Sequence, residues 1–276
     1  MTALAPVSRI PRLDHAGRVT FPRVLLSEWT KLRSVRSTAW SLVVGILLTI
    51  AFPIIFAFVT SSHWGTMSPD ERASRSPLDI ALAGVNVAQL AIAVLGVIVI
   101  TAEYSTGSIR SSFTAVPKRL PVLWAKLLDY GVLSLVLMVP AVIVSFFASQ
   151  AILARHDILQ ISFTQSGVAR AVLGGALYVM LVGIFALAIG AIVRNTAGGI
   201  ATFAGIFFVI PPLMNILPLS WNNAISQYLP SNAGRQIFSL DHAPHTLTPL
   251  GGGLLFAAYC AAAVAIAAVL LVRRDV

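Results

Sequence analysis

The side chains able to do chemistry in this 276-residue chain are few and scattered. Its histidines are His15, His63, His156, His242 and His245, and only Asp241-His242-Ala243-Pro244-His245 gathers ligand types closely. Pro244 breaks the helical spacing of that pair, and no His-Glu-x-x-His pattern occurs, so no metal site is expected. The single cysteine, Cys260, lies inside an apolar run, which leaves neither an intramolecular disulfide nor a cysteine metal cluster. There is no Gly-x-x-x-x-Gly-Lys-Ser/Thr phosphate loop, so any ATP used must be hydrolysed elsewhere. No convergent acids, bases or nucleophiles mark an embedded protease or lipid-modifying transferase, and the chain is not expected to be an enzyme.

Two polar features remain. The first is the stretch from Glu103 to Lys126, EYSTGSIRSSFTAVPKRLPVLWAK. It begins with an acid, turns at Ser105-Thr106-Gly107, and sets Ile109, Phe113 and Val116 at helical spacing before Pro117. Lys118, Arg119 and Lys126 follow. The pattern predicts a short amphipathic helix whose apolar face either enters the groove of a soluble partner or rests on lipid beside Trp124. The second feature is three amides within apolar runs: Asn86, Gln89 and Asn215. Such groups either bridge helices or line a substrate path.

The elements that must position these residues follow from composition. The chain is 57% hydrophobic and 11% charged, with mean hydropathy +0.87, more apolar surface than a soluble core can hide. The formal net charge of +9 lies in short segments flanking apolar runs rather than in one stripe, so membrane topology explains it and nucleic acid does not. Residues 1–22 read as a disordered basic tail with Arg9, Arg12, Arg18 and three prolines. Residues 23–37 read as an interfacial helix, with Leu25, Trp29 and Leu32 on the apolar face and Ser27, Glu28 and Lys31 turned away.

Six apolar runs then approach the roughly 20 residues that cross a bilayer: 38–60, 81–101, 130–153, 171–193, 197–219 and 250–272. The expected fold is an all-α integral membrane protein of six spans. No ionisable side chain falls at mid-depth; Asp79 and Asp129 sit at span ends, which argues against a proton-coupled carrier. Of nineteen Lys and Arg residues, fourteen lie on the side of residues 1–37 and five on the other, so both termini are expected in the cytoplasm of a plasma membrane protein. Residues 103–126 then face the cytoplasm, and residues 220–249, rich in apolar groups, are expected to form one or two short helices outside. Gly253, Ala257, Ala261 and Ala265 recur at intervals of four in the last span, with Ala186 and Gly190 in the fourth. Such small residues allow close packing, within one subunit or between two; packing within the chain is the expectation.

Several motifs together resemble the permease subunits of ABC-2-type exporters, in particular actinobacterial ones. They are Glu103 closing the second span, Thr106-Gly107, Ile109-Arg110, the short helix over 111–116, Pro117-Lys118-Arg119, and Ala125-Lys126 leading into the third span. The leader Ser27-Glu28-Trp29-Thr30-Lys31-Leu32-Arg33-Ser34 and the segment Tyr228-Leu229-Pro230-Ser231-Asn232-Ala233-Gly234 look alike as well. Pro121 departs from the pattern and is expected to disturb the helix leading into the third span.

The resemblance implies that two permease copies, the same or different, form a pathway above two separate ATPase subunits. The chain itself would bind no cofactor and no metal. Coupling to the ATPase would run through Glu103, Gly107, Ile109, Arg110, Phe113 and Pro117; where they do not bridge helices, Asn86, Gln89 and Asn215 are the candidates for the substrate path. A non-transporting membrane scaffold or assembly subunit is the competing reading, since it would show the same spans.

Overall fold

In the computed structural model, the described residues are 20–109, 114, 116, 119–156, 158, 160–240 and 244–274. They form an all-α protein, with no strand among them. Helix α1 spans Phe21–Ser34, and extended backbone at Val35 separates it from α2, Arg36–His63. A one-turn helix, α3 (Pro69–Ala73), follows, closed by a capping box between Ser68 and Glu71. The long helices α4 (Pro77–Ser105), α5 (Leu120–Arg155) and α6 (Val168–Val193) come next. The fifth span, α7, covers Thr196–Ile216 and the last long helix, α10, covers Pro249–Arg273. Between them lie the short helices α8 (Leu219–Ile225) and α9 (Pro230–Arg235). Six of these helices are long and apolar enough to cross a membrane, which makes this a multi-pass membrane protein.

Most of the long helices run past their apolar runs at both ends. The α5 helix begins ten residues before the run at 130–153, because Pro121 does not break it. It occupies the first turn, where a missing N–H leaves no intrahelical bond unmade. Lys126 and Asp129 therefore belong to a continuous helix rather than to a loop.

The core centres on α4 and α6, whose most apolar windows are 56% and 67% buried, against 17% for α7. Glycines allow the close approach: a Cβ on Gly96 would stand 2.5 Å from the Gly183 carbonyl oxygen across the α4–α6 contact. Tyr130, fully buried, donates its hydroxyl to the Ile92 carbonyl at 2.6 Å and joins α5 to α4. A further layer of rings, Phe185, Phe203, Phe207 and Phe256, fastens α7 and α10 to α6.

The fifth span is irregular for a local reason. Pro211 and Pro212 bring no N–H to the ladder, and the turn before them widens into a π segment over Gly205–Val209 in which the Ile210 N–H reaches back to Gly205. The α6–α7 connection is a two-residue joint. Arg194 adopts the left-handed conformation (φ 58°) that ends α6, and the Asn195 side chain caps α7 by accepting from the Gly198 N–H.

The stripe Gly253, Ala257, Ala261 and Ala265 is not the packed face of α10. The buried face holds Gly252, Phe256, Cys260, Val264, Ala267 and Leu271 instead, and Ala257, Ala261 and Ala265 are exposed. Phe256 supplies the reason, since its ring enters the aromatic layer and sets the rotation of the helix.

Candidate functional site

The polar centre of the molecule lies where α1, the end of α4 and the start of α5 meet. Hydrophobic packing brings them together: Val24 of α1 is buried with Val122 and Ala125 of α5, flanked by Leu25 and Val116. This contact turns the stripe Val24, Glu28 and Leu32 inward. The sequence reading of α1 is corrected here. Glu28, expected on the polar face, is 3% exposed, while Leu25 and Trp29 are half-buried. A carboxylate tolerates that position only with a charged partner.

Lys126 provides it. Its ammonium lies 2.5 Å from Glu28 Oε2 and 2.7 Å from Glu103 Oε1, and its side chain is 4% exposed. Lys31, one turn along α1, reaches Glu28 Oε1 at 2.6 Å and Glu103 Oε1 at 3.0 Å. The result is a closed ring of two acids and two bases drawn from three helices. Burial disfavours the Lys31 ammonium, yet the hydrogen bond it donates to Glu28 and the charges of Glu103 and Glu28 outweigh it and hold its pKa above the usual lysine value.

Two acid oxygens near this ring are unsatisfied, Glu103 Oε2 and, one turn beyond Lys126, Asp129 Oδ2. A small cleft of about 70 Å³ opens beside the ring, lined among others by Leu32, Val35, Ile98 and Ala102. Buried charge rings of this kind add little net stability over apolar residues, but removing one member leaves its partners stranded. Their effect is to fix register, here of α1 against the ends of α4 and α5.

The residues expected to couple to a partner divide between the described and the undescribed. Arg110, Phe113 and Pro117 lie outside the described residues. Glu103 belongs to the ion ring, so it faces inward. Gly107 carries φ +71°, a left-handed backbone that favours glycine, and nothing lies within 4 Å of where its Cβ would stand. Ile109, expected on an outward apolar face, is 2% exposed.

The amides separate in the same way. Gln89 is buried, donates to the Asn86 carbonyl at 2.8 Å, and accepts from the Tyr178 hydroxyl at 2.5 Å, so it bridges α4 to α6. Asn86 Oδ1 is buried without a partner. Asn215 is exposed at the end of α7 and accepts from Asn222 at 3.2 Å. The three do not converge on one site. Of the candidate metal ligands, Asp241 and His242 lie outside the described residues, and no metal-competent cluster occurs among the described ones.

Sequence reasoning missed the role of Glu28 and the clamp on the C-terminal helix. Arg119 donates to the Leu271 and Arg274 carbonyls at 3.1 and 3.0 Å, and Arg194 donates to Leu270 at 3.2 Å while lying 5.2 Å over the Tyr104 ring. Arg119 thus satisfies the Leu271 carbonyl, one of those that a helix end leaves open, while Arg194 adds a second donor to Leu270, which already accepts from the Arg274 N–H. The same membrane face thus carries the ion ring, the α6–α7 joint and the end of α10. No family model and no curated protein matches the chain.

Proposed function

We propose that this chain is the membrane permease subunit of an ATP-driven ABC exporter of the ABC-2 type. It forms a substrate pathway with a second permease copy and is moved by a separate ATPase subunit docked beneath the segment between α4 and α5. The observation that carries this reading is the Glu28–Lys126–Glu103–Lys31 ring. It ties both ends of that segment to each other and to α1, so a push on the segment is delivered to three helices as one body instead of bending a loop.

Ile109 is buried within the chain, so in this reading the docking contact falls to the rest of the segment, with Phe113, which lies outside the described residues, as its apolar anchor. Both termini and the ion ring face the cytoplasm of the plasma membrane in this reading, in agreement with the excess of Lys and Arg on that side. ATP is bound and spent by the partner.

The test is isolation of the tagged protein from its native membrane in mild detergent. A nucleotide-binding subunit in stoichiometric amount is expected to come with it. Recovery of the chain alone or only with other integral proteins, under conditions that keep it folded, favours a scaffold and contradicts the proposal.

A further inference from the structure

At the opposite membrane face from the ion ring, α5, α6 and α10 leave a cleft of about 740 Å³ between them. Its size falls in the roughly 300–1,000 Å³ range of small-molecule sites. The walls are hydrocarbon: Leu173, Leu177 and Leu181 from α6, Leu254 and Ala257 from α10. Ile237 closes part of one end. Among the described residues the only charged one lining the cleft is Arg170, in the first turn of α6.

Arg170 is exposed, and its position is fixed. It donates to the Ile237 carbonyl at 2.9 Å and to the Ser239 carbonyl at 2.7 Å. A guanidinium carries five N–H donors, so these two bonds leave others for an anion. Among the described residues no carboxylate pairs with it.

The length of the cleft discriminates between occupants. From Arg170 to Leu181 the wall runs eleven residues of α6, roughly 16 Å at 1.5 Å per residue. That is about half of the roughly 30 Å hydrocarbon thickness. A spanning helix of a second copy would need a groove of full depth, whereas one acyl chain needs the depth of one leaflet. Arg170 lies one residue before the apolar run at 171–193, the position that a bilayer spanned by α6 would bring to its headgroup level, and guanidinium and phosphate geometries match.

We propose that this cleft is a binding site for one phospholipid with an anionic headgroup, its phosphate on Arg170 and an acyl chain along Leu173, Leu177 and Leu254. The site is independent of how the chain is driven, because it requires only that the chain sits in a bilayer.

The experiment is native mass spectrometry of the detergent-extracted full chain with equal amounts of phosphatidylglycerol and phosphatidylcholine added. Wild type is expected to retain one lipid, favouring phosphatidylglycerol about fivefold, the effect of one basic side chain at an anionic surface. Arg170→Gln should abolish that preference. Ala257→Phe should lose the retained lipid of either kind, and Ala257 is exposed, so the added ring clashes with nothing in the core. Arg155→Gln, which removes a charge outside the cleft, should behave as wild type. The proposal is overturned if wild type retains no lipid or both equally, if Arg170→Gln keeps the preference, or if Ala257→Phe keeps the lipid. A wild-type dimer that Ala257→Phe converts to monomer would overturn it too, by assigning the cleft to a second copy.

Discussion

At the scale of single residues, the ion ring makes unequal demands on its two lysines. Lys126 is 4% exposed and holds two acids that have little access to water, whereas the Lys31 side chain is 38% exposed and water replaces part of what it supplies. Replacing Lys126 with Met should therefore cost about 3–5 kcal/mol of stability, the penalty of a stranded buried charge. Lys31→Met should cost about 1 kcal/mol or less. Chemical denaturation in detergent micelles measures both, and equal costs would mean that the ring is hydrated.

The pH response has a defined sign. Lys31 has a folded-state pKa raised above the ordinary 10.5, so the folded protein holds the proton more tightly than the unfolded chain. Its contribution is complete below that value and fades as pH rises through the folded one. Stability of wild type should thus fall more steeply above about pH 10.5 than stability of Lys31→Met, in the same denaturation assay. Parallel curves would remove Lys31 from the network.

At the scale of elements, the α4–α6 contact is set by glycine. Gly96→Ala places a methyl group against the Gly183 carbonyl and should destabilise by about 1–3 kcal/mol, the usual cost of overpacking. Gly205→Ala, in α7, meets nothing within 4 Å and should leave the melting temperature unchanged or raise it. A melt of both variants separates packing from helix propensity; if both fall together, close approach is not what Gly96 provides.

The same scale shows what a sequence can and cannot reveal. The long apolar runs were readable because lipid imposes length and composition on each helix independently of its neighbours. The inward face of α1 was not. A glutamate at helical spacing between Val24 and Leu32 reads as a solvated position until its partner is known, and Lys126 lies 98 residues away. The rotation of α10 was hidden for a related reason. The stripe that packs, Gly252, Phe256, Cys260, Val264, Ala267 and Leu271, runs beside the one of small residues, and only the placement of Phe256 against α6 and α7 chooses between them. Amide roles depend on tertiary partners as well, since Gln89 becomes a bridge only because Tyr178 stands opposite.

At the scale of the whole molecule, the described residues form one bundle with two chemically distinct ends. One face gathers the ion ring, the Arg119 and Arg194 clamps on α10 and the segment between α4 and α5. The other holds α3, α8, α9 and the arginine-tipped cleft. The proposed permease function would use that asymmetry, with the ion-paired end receiving force and the apolar body redistributing it.

The most direct measurement of that central claim is site-specific photocrosslinking in native membranes from Thr114, an exposed position in the segment between α4 and α5. Thr66, an exposed position in the α2–α3 connection, serves as the reference. The account predicts that Thr114 forms an adduct with a soluble nucleotide-binding polypeptide, that Thr66 does not, and that Phe113→Asp abolishes the adduct while the six spans still insert. Adducts of Thr114 with lipid alone would contradict it and leave the segment as a membrane-surface helix.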